Sequence, residues 1–89
     1  MERQLEIQKF HYFDEGNSYA GERVKDADKG LRLRYRVEPN KEESVFLVYA
    51  WKEDLCFQRA HDIEQKTYPF SEEGLEQAVD WLEEKYAAL

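Results

Sequence analysis

LRLRYRVEPNKEESVFLVYAW, residues 31–51, sets two different β-patterns side by side. In its first half Leu31, Leu33, Tyr35 and Val37 alternate with Arg32, Arg34, Arg36 and Glu38. A period of two puts the apolar side chains on one face of a strand and the charges on the other, so this strand is buried on one side only. Pro39 to Glu43 is polar and makes a turn. Val45 to Trp51 is then a nearly continuous run of β-branched and aromatic residues, which suits a central strand with partial cover on both faces.

Outward from this pair the punctuation is local. Tyr19 to Lys25 alternates less cleanly and forms a strand closed by DADKG at 26–30, where Gly30 is free to take a positive φ. Before it, LEIQKFHYF at 5–13 is aromatic and β-prone and ends at DEGNS, whose Asp14, Gly16 and Asn17 supply a turn; this predicts a first strand. On the other side, Lys52 to Lys66 holds no period although Leu55, Cys56 and Phe57 are apolar, and is expected to be an irregular connection with some strand character. Thr67 to Phe70 adds a short strand.

The covering layer is a helix after Phe70. Ser71 is a natural N-cap, Glu72 and Glu73 complement the positive end of the helix dipole, and Phe70 and Leu75 occupy the two positions of a hydrophobic staple. At about 100° per residue, Leu75, Ala78, Val79, Leu82, Tyr86 and Leu89 fall on one stripe, with Glu76, Gln77, Asp80, Glu83 and Glu84 opposite. The expected fold is α+β: an antiparallel four- to five-stranded β-meander with one C-terminal α-helix packed on one face. Residues 1–89 form a single domain, since the chain is too short for two cores and has no linker.

Composition narrows the function classes. Hydrophobic residues make up 42% of the chain, enough for a core despite 37% charged residues. No apolar run reaches membrane-span length, the start MERQLEIQKF lacks the apolar stretch of a signal peptide, and the single Cys56 cannot form an internal disulfide. The expectation is a cytoplasmic protein with no membrane partner. The net charge is −7, and it is unevenly placed: residues 1–40 hold eight basic and eight acidic residues, residues 41–89 five and twelve. Phosphate affinity comes largely from lysine and arginine, so this balance disfavours non-specific binding to duplex DNA or anionic lipid.

Catalytic patterns are scarce. His11 and His61 lie fifty residues apart in sequence, and neither forms a recognised signature with Cys56 or Asp62. A lone cysteine between Leu55 and Phe57 reads first as a small buried hydrophobe. Asp26 and Asp28 match the first ligands of a calcium loop, but Gly30 falls one place early and Val37 stands where a bidentate glutamate is needed. No enzyme activity, metal or cofactor is expected. The surface feature that stands out is the row Arg32, Arg34, Arg36. With Arg23 and Lys25 on a neighbouring strand and Tyr12 and Tyr19 nearby, it would form a basic, aromatic platform of the kind that holds single-stranded nucleic acid. Cross-strand pairing of these arginines with Glu6, Glu22 or neighbouring acids weighs more, because residues 1–40 carry no net charge.

The order of four strands and a helix resembles the layout of the Whirly and positive-cofactor-four type of single-stranded DNA-binding domain; no family motif accompanies it, so no binding residue carries over. YPFSEEGLEQAVDWLEEKY, residues 68–86, resembles the C-terminal helix of small uncharacterised bacterial domains, in which a Phe-Ser turn precedes Gly-Leu and Trp-Leu pairs. That resemblance implies a bacterial protein and supplies no site. The functional expectation is a non-enzymatic protein-interaction or binding module whose partner is another protein or a second copy of the chain. The alternatives are single-stranded nucleic-acid binding through Arg32, Arg34, Arg36, Arg23, Lys25 and Tyr19, and a small Cys/His enzyme.

Overall fold

The alternation at 31–37 and the apolar run at 45–51 form the middle of one antiparallel sheet in the computed structural model, which describes Leu5, residues 7–53 and residues 56–89. The strands are β1 (Tyr19–Asp26), β2 (Leu31–Asn40), β3 (Val45–Trp51) and β4 (Glu64–Pro69), in spatial order β1-β2-β3-β4. A helix, α2 (Glu72–Ala87), follows, and a five-residue helix, α1 (Phe10–Asp14), precedes the sheet. The chain is thus an α+β fold, a four-stranded antiparallel meander with its C-terminal helix packed on one face. No fifth strand is present among the described residues.

The strand expected at 5–13 is instead loop and helix at the residues that are described. The spacing of the aromatic residues explains this. Phe10 and Phe13 are three apart, which sends them to opposite faces of a strand but to one face of a helix. Both are needed on the same side: the Phe46 ring lies 6.1 Å from Phe10 and 5.4 Å from Phe13, and Phe70 stacks at 4.9 Å from both Phe10 and Phe46. Phe13 is fully buried by this arrangement. Gly16, at φ +95°, and the Asn17 amide, which donates to the Tyr12 carbonyl, then turn the chain into β1.

Register fixes the two sheet faces. Leu33, Tyr35 and Val37 of β2 and Phe46, Val48 and Ala50 of β3 point to one side and are all buried, joined by Leu75, Ala78, Val79, Trp81 and Leu82 of α2. The expected stripe on α2 is confirmed for Leu75, Ala78, Val79 and Leu82, with Tyr86 and Leu89 packed at its margin; Trp81 is an added member. Ser71 caps the helix as expected, its hydroxyl accepting from the Gly74 amide at 3.0 Å. Gly74 is buried against β4, and a Cβ there would lie 1.8 Å from the Pro69 carbonyl oxygen. The helix therefore approaches the sheet more closely at this point than any other residue would allow.

Two boundaries differ from the sequence reading. Strand β2 continues through Pro39 and Asn40, which pair with Phe46 and Val45, and the turn occupies 41–44, with Ser44 at φ 55°. Proline is tolerated there because β1 pairs no further than Tyr19 opposite Val37, leaving β2 with one neighbour. Strand β4 begins at Glu64, so the irregular connection is 52–63, of which Asp54 and Leu55 lie outside the described residues. Both edge strands are polar and charged, β1 bearing Glu22, Arg23 and Lys25 and β4 bearing Glu64, Gln65 and Lys66, which discourages edge-to-edge pairing. Among the described residues no helix is long and apolar enough to cross a membrane.

Candidate functional site

The sheet face turned away from α2 is laid out in rows across the strands. Glu22, Arg34 and Trp51 form one row; Ala20, Arg36, Tyr49 and Gln65 the next; Glu38, Leu47 and Thr67 a third. Arg32 stands opposite Val24 at the other end. The alternation in β2 therefore does deliver three guanidinium groups to one face, as its period requires.

These arginines are held by acids. Arg34 Nε donates to Glu22 Oε2 at 2.5 Å, Arg32 Nη1 lies 3.8 Å from Glu22 Oε1, and Arg36 Nη2 donates to Glu38 Oε1 at 2.8 Å. Cross-strand pairing with Glu22 is present, Glu38 is a partner along the strand itself, and Glu6 lies outside the described residues. Only 22%, 26% and 33% of the Arg32, Arg34 and Arg36 side chains remains exposed, so the row is embedded in the face rather than projecting from it.

Arg23, Lys25 and Tyr19 do not join the row. Arg23 pairs with Leu33 and Tyr19 with Val37, which places both on the opposite side of the sheet. Tyr19 packs there on Tyr12 and Tyr35, with ring centroids 6.4 and 6.3 Å away. A register shift between Val24 and Asp26 makes Lys25 a bulge residue. Its Nζ reaches the C-terminal end of α2, donating to the carbonyls of Ala87 at 3.2 Å, Leu89 at 3.3 Å and Tyr86 at 3.5 Å, with the Tyr86 ring 5.6 Å away. A cation at the negative end of a helix dipole is a structural clamp.

The 52–63 connection supplies what periodicity could not reveal. Phe57 folds back onto the open face, its ring 4.8 Å from Tyr49 and 5.7 Å from Trp51, with the Arg36 guanidinium carbon 5.0 Å from its centroid. Trp51 is only 5% exposed as a result, although it points away from the main core. Burial raises the Tyr49 hydroxyl above its usual pKa, assisted by Glu38 and opposed by Arg36. Glu53 organises the same connection: Oε1 accepts from the His61 and Asp62 amides at 2.8 Å each, and the Asp62 bond first, then the His61 bond, holds the carboxyl below its ordinary range.

Between Phe57 and β1 a cleft of about 610 Å³ remains, bounded by Ala20, Glu22, Arg34, Arg36, Trp51 and Phe57. Its size falls within the ordinary range of ligand sites. Cys56 is at its rim and is exposed, contrary to its expected burial. His11 is exposed and paired with Glu15 at 2.7 Å, while His61 engages Glu53 through its backbone. Among the described residues no hydrogen bond joins Cys56 to either histidine, and no group of three or more metal-ligating side chains occurs. The arrangement is equipped for binding, with apolar rings, planar cations and a donor in reserve: Arg36 Nε is buried without a hydrogen-bond partner. No protein-family model, curated protein or solved structure matches the chain.

Proposed function

We propose that this chain is a non-enzymatic protein-interaction module, and that it binds a segment of a partner protein on the open sheet face beside Phe57. The observation that carries this reading is the cleft next to Phe57, where Arg34 and Arg36 lie among Trp51, Tyr49 and Phe57. Arginine and aromatic side chains that are already ordered and partly desolvated are the residue types that dominate protein interfaces, because they bury much area at low entropic cost. Charge favours the same partner over a nucleic acid. The exposed face of α2 carries Glu72, Glu73, Glu76, Asp80 and Glu84, the whole chain is −7, and the arginines of the open face already have acid partners.

The test is selection of dodecapeptides from a random displayed library on the immobilised chain, followed by anisotropy titration of the selected peptides. Binding should be lost in Phe57→Ala and Tyr49→Ala and kept in Glu76→Ala and Asp80→Ala on the outer face of α2. Peptides insensitive to the open-face variants would remove the proposal. Salt-sensitive binding of an oligothymidylate, abolished by the triple change Arg32, Arg34 and Arg36 to Ala, would transfer the face to single-stranded nucleic acid instead.

A further inference from the structure

The row of Arg36 is unfilled on its β1 side. Arg34 meets Glu22 on its β1 side, and Glu22 also reaches toward Arg32. Arg36, by contrast, stands opposite Ala20, whose methyl group cannot fill the space a longer side chain would occupy. The cleft of about 610 Å³ is this gap, closed on the far side by Phe57 and floored by Arg34, Arg36 and Trp51. Arg36, which lines the cleft, carries a guanidinium donor, Nε, that is buried with no acceptor. Buried N–H groups in folded proteins are nearly always paired, so an orphan beside an unfilled cleft points to an acceptor supplied from outside.

We propose that the gap beside Ala20 is a carboxylate subsite: it receives one carboxylate of a partner polypeptide, from an acidic side chain or a C-terminus, with a neighbouring apolar group against Phe57. This rests on the open face being the binding face. Chemistry selects the ligand. The cleft is lined by the guanidinium groups of Arg34 and Arg36, donors that an anionic oxygen pair satisfies. A phosphate dianion there would stand close to the Glu22 and Glu38 carboxylates. Shape agrees, because a planar carboxylate matches the planar guanidinium in a way that a tetrahedral group or a point charge does not. The chain itself shows the pattern one row away, where Glu22 occupies the position beside Arg34 that is vacant beside Arg36.

The experiment uses the full chain and two nearly isosteric probes, N-acetylphenylalanine and its uncharged amide, followed by NMR at the Arg36 Nε–H and at the backbone amides of Ala20, Gly21 and Phe57. The acid should shift these signals saturably, and the amide should bind at least tenfold more weakly. Ala20→Glu sets a carboxylate opposite Arg36 and should abolish the response to the acid while the variant melts no lower than the parent. Equal responses to acid and amide, or undiminished binding by Ala20→Glu, would overturn the subsite. Stronger shifts of these signals by inorganic phosphate than by the acid would overturn it in favour of a phosphate site. Selected peptides that need Phe57 but carry no carboxylate would refute the subsite and leave the open-face reading standing.

Discussion

Gly74→Ala separates two opposed effects at a single atom. Gly74 lies in the first turn of α2, where alanine is intrinsically better by about 1 kcal/mol, so a helix considered alone would gain from the change. The structure opposes this. The new Cβ would stand 1.8 Å from the Pro69 carbonyl oxygen and 2.7 Å from its carbon, against a contact floor near 3.0 Å, so helix and strand must part by more than about 1 Å. The obstacle is backbone, and it cannot swing aside. Overpacking of this kind costs about 1 to 3 kcal/mol and more when backbone moves. Separation also loosens the Ser71 cap, worth about 1 kcal/mol. The net expectation is destabilisation of about 2 to 3 kcal/mol, a fall in melting temperature of roughly 8 to 20 °C for a domain of this size. Thermal unfolding followed by circular dichroism measures it, with Gln77→Ala on the exposed side of the same helix as the propensity control. A Gly74→Ala chain that melts at or above the parent temperature would refute the close approach of α2 to β4.

Three further outcomes test other joints of the structure. Phe57→Ala should uncover Trp51 and red-shift its emission, read in a Trp81→Phe background, with a loss of about 1 to 2 kcal/mol for a half-buried ring; an unmoved emission maximum would show that Phe57 does not cover the open face. Lys25→Met should cost about 0.5 to 1 kcal/mol in urea unfolding at low salt and less at high salt, because the lysine acts on the helix terminus electrostatically. For Glu53 the folded pKa lies below the unfolded one, so its bonds to the Asp62 and His61 amides stabilise the connection above the ordinary glutamate range and are lost as pH falls through the lowered value. The amide shifts of His61 and Asp62 should therefore titrate together with a midpoint below about 4.3, the value of a free glutamate, and should not titrate in Glu53→Gln; a midpoint at or above the free value contradicts the assignment.

What the sequence disclosed depended on whether a local pattern had one structural meaning. The alternation from Leu31 to Val37, the run from Val45 to Trp51 and the capped helix after Ser71 each agree with burial, turn chemistry and length at once, and each is found where expected. Phe10 to Phe13 misled because aromatic content favours strands while the three-residue spacing favours one face of a helix, and the partner that decides between them, Phe46, is more than thirty residues away. Phe57 was invisible for a related reason. A residue in an irregular segment has no period to reveal its side, and its place over Trp51 and Arg36 comes from where the 52–63 connection closes.

The basic residues show how much register decides. Adjacent strands share a face only where residues stand directly opposite, and a one-residue shift inverts a whole strand. Proximity in sequence groups Arg23 and Tyr19 with Arg32, Arg34 and Arg36; pairing with Leu33 and Val37 sends them to the other side. The bulge does the same for Lys25 and makes it a clamp on the end of α2. Several cations of this acidic chain are thus spent on joints: Lys25 at the helix terminus, Lys85 on Glu64 at 2.7 Å, Arg34 on Glu22. Arg36 is the exception within the row. It has an acid along its own strand, a ring above it, a methyl where its neighbour has a carboxylate, and one buried donor unsatisfied. The proposed recognition falls where a donor of the face lacks its acceptor, which is why Ala20→Glu, a change to an exposed residue opposite Arg36, is the substitution with the most to say about binding.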